Sequence, residues 1–218
     1  MLMKRFSLSG NALKILAMIA MTCDHVGLQL LPQVTALRWI GRLALPIYAF
    51  LIAEGCRHTR SFPKYLTRMA AMGLLCQGVY LAAMDSLYMC ILVTFSLSIS
   101  LIWAWKSGKT PIAVAVTALV FFLCVVLPDL VPGFEIDYGL PGVLLPVLIY
   151  FGKPMPVFLS LGLAILGFAI GGRQWFAFAA VPILLLYNGQ RGKHNLGKFF
   201  YWYYPLHLAA IYGISLIF

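Results

Sequence analysis

The sequence predicts an all-α protein: a polytopic transmembrane helix bundle of about nine spans, forming one domain over residues 1–218. Three observations predict it. First, 62% of the residues are apolar and only 10% charged, against about half and a quarter in a soluble domain. Second, apolar runs of span length recur along the whole chain between short breaks of Gly, Pro and charged residues. Third, the basic residues fall on alternate breaks. The mean hydropathy of +0.93 excludes a soluble globule, a disordered chain and a disulfide scaffold. At about 20 residues per span nothing remains for a soluble domain, so function must be built from helices and loop mouths.

The spans lie near 11–31, 38–56, 65–84, 87–105, 111–128, 139–151, 155–171, 173–187 and 198–218. The first follows Lys4 and Arg5 as a signal h-region would. However, Lys14, Asp24 and His25 interrupt it and no small-x-small cleavage site follows, so it reads as a retained helix. The sixth is short and is broken from the seventh by Gly152-Lys153-Pro154; two full spans and a re-entrant pair both fit there. Gly167-x3-Gly171 reads as helix packing. The five cysteines stand singly in apolar stretches, without a CxxC pair or metal-ligand spacing, and read as small core residues.

With nine spans, one side collects Lys4, Arg5, Arg57, Arg60, Lys64, Arg68, Lys106, Lys109, Lys153, Arg191, Lys193 and Lys198, 12 of the 16 basic residues. The other side has Arg38 and Arg173 and holds Asp85, Asp129, Glu135 and Asp137. The positive-inside bias therefore puts the N-terminus in the cytoplasm. It also accounts for most of the +10 net charge, and no aromatic–basic interleaving suggests nucleic acid. The expected location is a bacterial plasma membrane, crossed several times.

Ionisable groups at membrane depth are costly and point to function. Lys14 and His25 are eleven positions apart, about 20° past three turns, and so share a helix stripe with about 16 Å between them. Lys14 lies at the cytoplasmic mouth and His25 beyond mid-membrane. Asp24 projects from an adjoining face, at the depth of Arg42 on the second span, where the two satisfy each other. Pro46 deprives the Arg42 carbonyl of its helical partner. On the ninth span Tyr203 and Tyr204 stand four and three positions before His207, on its face. Glu54 lies near the cytoplasmic end, as a substrate-positioning group or a mouth ion pair with Arg57. His58 and His194 read as solvated loop residues.

A neutral imidazole is a general base toward a hydroxyl or amine near neutral pH. A guanidinium orients a partner or stabilises an oxyanion. A basic entrance holds the phosphates of a donor such as coenzyme A. That assigns His25, Asp24, Arg42 and His207 to catalysis, and Lys14, Arg60, Lys64, Arg68 and Arg191 to the donor. Tyr203, Tyr204 and Glu54 are assigned to substrate positioning. No Ser or Cys is paired with a base in a recognisable motif, which favours direct transfer.

Four stretches resemble the TraX family of integral membrane proteins. They are Leu13-Lys14-Ile15 through Asp24-His25-Val26-Gly27; Ile40-Gly41-Arg42 through Glu54-Gly55, with Arg60, Lys64 and Arg68; Asp137-Tyr138-Gly139 with Gly142; and Tyr187-Asn188-Gly189-Gln190-Arg191-Gly192 with Tyr203-Tyr204-Pro205-Leu206-His207. The family is named for a protein implicated in N-acetylating the amino terminus of conjugative pilin. The Lys14-x10-His25 spacing is also similar to the first-helix motif of the acyltransferase-3 superfamily. These resemblances imply acetyl-CoA or another acyl-CoA as donor, Lys14 and His25 as donor-site and catalytic pair, and Arg42 with Pro46 as the second-helix element. The acceptor would be an amine or hydroxyl on a peptide, glycan or lipid.

Two other classes fit the same residues. In a proton-coupled carrier the buried Asp, His and Arg would relay protons, but spans 1–4 and 5–9 share no polar pattern of the kind inverted repeats leave. In a non-catalytic membrane assembly factor these groups would only hold helices together.

Overall fold

A computed structural model describes residues 7–84, 86–193 and 197–217. Lys4, Arg5, Asp85 and His194 lie outside the described residues, as does the side chain of Lys198. Among the described residues the regular structure is helical, apart from two short paired strands and an isolated bridge. Its elements are α1 (Gly10–Gln29), α2 (Thr35–Gly41), α3 (Ala44–His58), α4 (Phe62–Met84), β1 (Tyr88–Met89), α5 (Ile91–Lys106), α6 (Thr110–Phe121), α7 (Leu127–Leu130), β2 (Glu135–Ile136), α8 (Gly139–Phe151), α9 (Met155–Ile170), α10 (Ala180–Leu185) and α11 (Gly197–Ser215). A π-helical segment, Phe122–Val126, joins α6 to α7, and a 3-10 helix, Gly172–Ala179, leads into α10.

The all-α expectation holds, and the helices fall on the apolar runs. Among the described residues two helical stretches, Thr35–His58 (α2 with α3) and Thr110–Leu130 (α6 to α7), are long and apolar enough, by length and composition, to cross a membrane. Ile91–Lys106, Gly139–Phe151 and Met155–Ile170 are apolar but shorter than 18 residues. Large apolar side chains are exposed along many helices, among them Leu74, Leu130, Phe168 and Leu216, a surface that lipid would cover.

The chain forms two compact units. The first joins residues 1–51 to 159–218 and the second covers 52–158. In the first, α1 packs on α2 and α11. Ser9 caps α1 by accepting from the Ala12 N–H at 3.3 Å. The second expected span is broken at Arg42-Leu43 into α2 and α3, because Pro46 brings no N–H to the Arg42 carbonyl. The eighth is a correction: residues 173–187 are a 3-10 helix followed by a six-residue α-helix rather than one α-helical span. The glycine pair of α9 is another. Gly167 seats the Trp175 ring, and Gly171 ends the helix at φ 72°, so the spacing is not a helix–helix seam.

In the second unit, Leu101, Val120 and Val143 form a core joining α5, α6 and α8. Pro128 brings no N–H, and the turn before it widens to π. The expected span at 87–105 starts later, at Ile91, after β1 pairs in parallel with β2. Tyr138 adopts the left-handed conformation (φ 59°), Tyr88 donates to Asp137 Oδ1 at 2.6 Å and Thr94 to the Asp137 carbonyl at 2.8 Å. A Cβ on Gly142 would strike the Tyr138 side chain. The Asp137-Tyr138-Gly139 stretch is thus a structural corner. The Cys90 thiol donates to the Gly73 carbonyl at 3.8 Å.

Candidate functional site

Lys14 and Arg191, two of the donor-site candidates, belong to the first unit and come together around the start of α1. First-turn N–H groups of a helix have no partner within it. Here those of Gly10 and Asn11 donate to the carbonyls of Gln190 and Arg191, at 2.8 and 2.9 Å. Asn188 Oδ1 in turn accepts from the Gln190 N–H at 2.9 Å, which shapes the loop. Two further bonds, Leu8 N–H to the Leu186 carbonyl and Asn188 N–H to the Leu8 carbonyl, tie its other end. The 187–192 stretch is therefore the docking loop of α1. It brings Arg191 within electrostatic range of Lys14, one turn into the helix.

Farther along α1 the two mid-helix imidazoles meet. His25 Nδ1 lies 2.8 Å from His207 Nε2, and His207 Nδ1 lies 2.9 Å from the Tyr203 carbonyl. A carbonyl oxygen only accepts, so His207 carries its proton on Nδ1. In the neutral pair His207 Nε2 is then an acceptor and His25 Nδ1 the donor. That leaves the lone pair of His25 on Nε2, which is where a base would act. Tyr203 stacks on His207 (5.1 Å between centroids, 7° between planes), and Tyr204 meets it edge-on at 5.5 Å. The Thr22 hydroxyl donates to the Met18 carbonyl and so accepts from the Tyr203 hydroxyl at 2.6 Å. One face of α11 is thereby keyed to one face of α1.

The Asp24 carboxylate is held from both sides. Arg42 Nη2 pairs with Oδ1, and Arg38 Nη1 lies 2.7 Å from Oδ2. Arg42 Nε also donates to the Arg38 carbonyl, and its Nη1 to Gln174 Oε1, at 3.3 Å each. All three charged side chains are under a fifth exposed. Such an approach of α2 to α1 needs Gly41, since a Cβ there would fall on the Asp24 carboxylate.

The remaining candidates belong to the second unit. Arg60, Lys64 and Arg68 are exposed at four-residue spacing, before and along the first turns of α4, a basic stripe. Glu54 is engaged locally. It pairs with Arg57 at 2.6 Å and lies 3.4 Å from His58 Nε2. Arg57 continues to the carbonyls of Ile149 and Tyr150 at 2.5 and 3.1 Å, satisfying the open C-terminus of α8. That geometry is the mouth ion pair expected as the alternative for Glu54. Among the described residues no group of three His, Cys, Asp or Glu side chains is placed to hold a metal.

Two participants escaped the sequence reading. Arg38 reads in the sequence as a topological charge of the outer loop, although it lies one turn before Arg42 and its i, i+4 spacing predicts a shared face. Gln174 carried no sequence signal; its link to Arg42 spans 132 positions.

The model of the family described as TraX protein matches residues 9–215. The chain belongs to the TraX family. A protein of Dichelobacter nodosus named "Probable fimbrial assembly protein FimC, serogroup H1" is 27% identical over 243 aligned positions, covering 95% of this chain and 96% of the relative. An uncharacterized protein of Rickettsia prowazekii is 40% identical over 67 positions, covering 31% of this chain and 25% of its own. No solved structure matches. In this TraX protein the first and fourth resembling stretches meet at the imidazole pair, the fourth also supplies the docking loop of α1, the second brings Gly41 and Arg42 to Asp24, and the third is the corner before α8.

Proposed function

We propose that this TraX protein is a multi-pass, plasma-membrane assembly factor for a surface fibre, and that its contribution to assembly is acyl transfer. The assembly role is supported by the full-length similarity to a relative named for fimbrial assembly. The chemical role is supported by one observation above the rest. His25 and His207 form a hydrogen-bonded pair whose tautomers are set by the Tyr203 carbonyl.

In this reading an acyl-CoA supplies the acyl group as a thioester, and Lys14 with Arg191 would hold its phosphates. Their neighbourhood at the start of α1 fits an anion. His25 Nε2 takes the proton of the attacking amine or hydroxyl. His207 Nε2, already bonded to His25 Nδ1, stabilises the cation that forms. The same proton leaves His25 for the departing group. Tyr203 and Tyr204 hold the His207 ring in place, and Asp24 with Arg42 fixes the helix that carries His25.

The test is release of free thiol from acetyl-CoA by protein purified in detergent, with mass spectrometry of fibre subunits from cells carrying each variant. His25→Gln is expected to lower thiol release by about 10²–10⁴-fold. Wild-type protein that releases no thiol in the presence of its fibre subunit, or His25→Gln at wild-type rate, overturns the chemical role. The Arg38–Asp24–Arg42 clamp favours a second reading, a non-catalytic assembly factor in which the buried charges only join helices. It predicts that cells carrying His25→Gln assemble normal, unmodified fibres.

A further inference from the structure

A pocket of about 280 Å³ opens in the first unit on the far side of the Asp24 clamp, walled by Arg38, Arg42, Ile170, Gly171, Gly172, Arg173 and Gln174. Three guanidiniums border it, and the carboxylate nearest them, Asp24, is already bound by two. Arg173 is exposed and makes no ion pair among the described residues. The decisive feature is Gln174. It is 2% exposed, its Oε1 is taken by Arg42, and its Nε2 is buried without a hydrogen-bond partner. Because an Arg donor must meet the amide oxygen, the orientation of that amide is set and an N–H donor is left over. A buried donor with no acceptor is costly, and here it belongs to a residue that lines a cavity with surplus positive charge. Gly171 and Gly172, at φ 72° and 54°, make the sharp turn out of α9 that brings Arg173 and Gln174 to the pocket.

We infer that this pocket is a binding site for a phosphate group, held by Arg173, the free edge of Arg38 and the Gln174 amide. The chemistry is that of an oxyanion meeting planar guanidinium donors. It is shared by soluble phosphate and by the headgroup of an anionic phospholipid. The inference does not depend on acyl transfer, and its readout is binding alone.

The experiment measures thermal unfolding of the full chain. In dodecyl maltoside micelles, sodium phosphate is titrated against sodium chloride at matched ionic strength. In nanodiscs, phosphatidylcholine is compared with phosphatidylcholine containing phosphatidylglycerol. Wild type, Arg173→Gln and a control, Lys153→Gln, are run in each arm. Phosphate, phosphatidylglycerol or both are expected to raise the unfolding temperature. Arg173→Gln should weaken the phosphate response about tenfold, as the loss of one charge-assisted contact implies, or remove the lipid response. The control should match wild type. A phosphate effect that persists in phosphatidylglycerol nanodiscs identifies a soluble ligand, and one that phosphatidylglycerol abolishes or replaces identifies a lipid headgroup. No effect beyond chloride and phosphatidylcholine, or the same effect in Arg173→Gln, overturns the site. Thiol release from acetyl-CoA, scored separately, shows whether the catalytic reading stands or falls independently.

Discussion

A single carbonyl oxygen decides which nitrogen of His25 can act. The Tyr203 carbonyl orders the proton on His207, His207 orders the proton on His25, and the lone pair is delivered to Nε2. Removing either imidazole therefore disturbs more than one group. At Asp24 the matching issue is charge. Asp24→Asn leaves two guanidiniums facing each other in a poorly solvated site and should cost about 3–5 kcal/mol, read as a lower unfolding temperature in detergent. The exchange Asp24→Arg with Arg42→Asp keeps the charge count. Restored stability with thiol release still lost would separate holding the helices from catalysing. Restored stability together with wild-type fibre modification would show that the pair only holds.

At the scale of elements, close approach does the positioning. α1 and α2 come together because Gly41 leaves room for the Asp24 carboxylate and Gly27 leaves room for Leu37. Gly41→Ala should therefore separate the two helices and destabilise by about 1–3 kcal/mol. Denaturation midpoints of the variant would show it, and a shift under about 0.3 kcal/mol would mean that α2 does not press on Asp24 as described. The 187–192 loop works in the opposite sense, by supplying acceptors. Its carbonyls complete the first turn of α1 and hold Arg191 near Lys14. This loop's contribution was invisible in sequence, because backbone carbonyls carry no side-chain signature.

For the whole molecule, the segregation of basic residues predicts side-specific labelling. Single cysteines at Lys109 and Lys153 should react with a membrane-impermeant maleimide only in inside-out vesicles, and one at Asp129 only in intact cells or spheroplasts. Labelling of Asp129 and Lys109 from the same side would break the proposed span count. Composition and run length sufficed for the helical class and for where most helices lie, because burial in lipid demands long apolar segments with satisfied backbones whatever the packing. The cost of polar groups at depth also marked Lys14, Asp24, Arg42, His25 and His207 directly in the sequence. Helical periodicity ends at the limits of each helix, however, and what joins one helix to another is set by packing. Only the tertiary structure put His25 against His207, added Arg38 to the Asp24 clamp and brought Gln174 to Arg42. These contacts span up to 182 positions, and no spacing rule reaches that far.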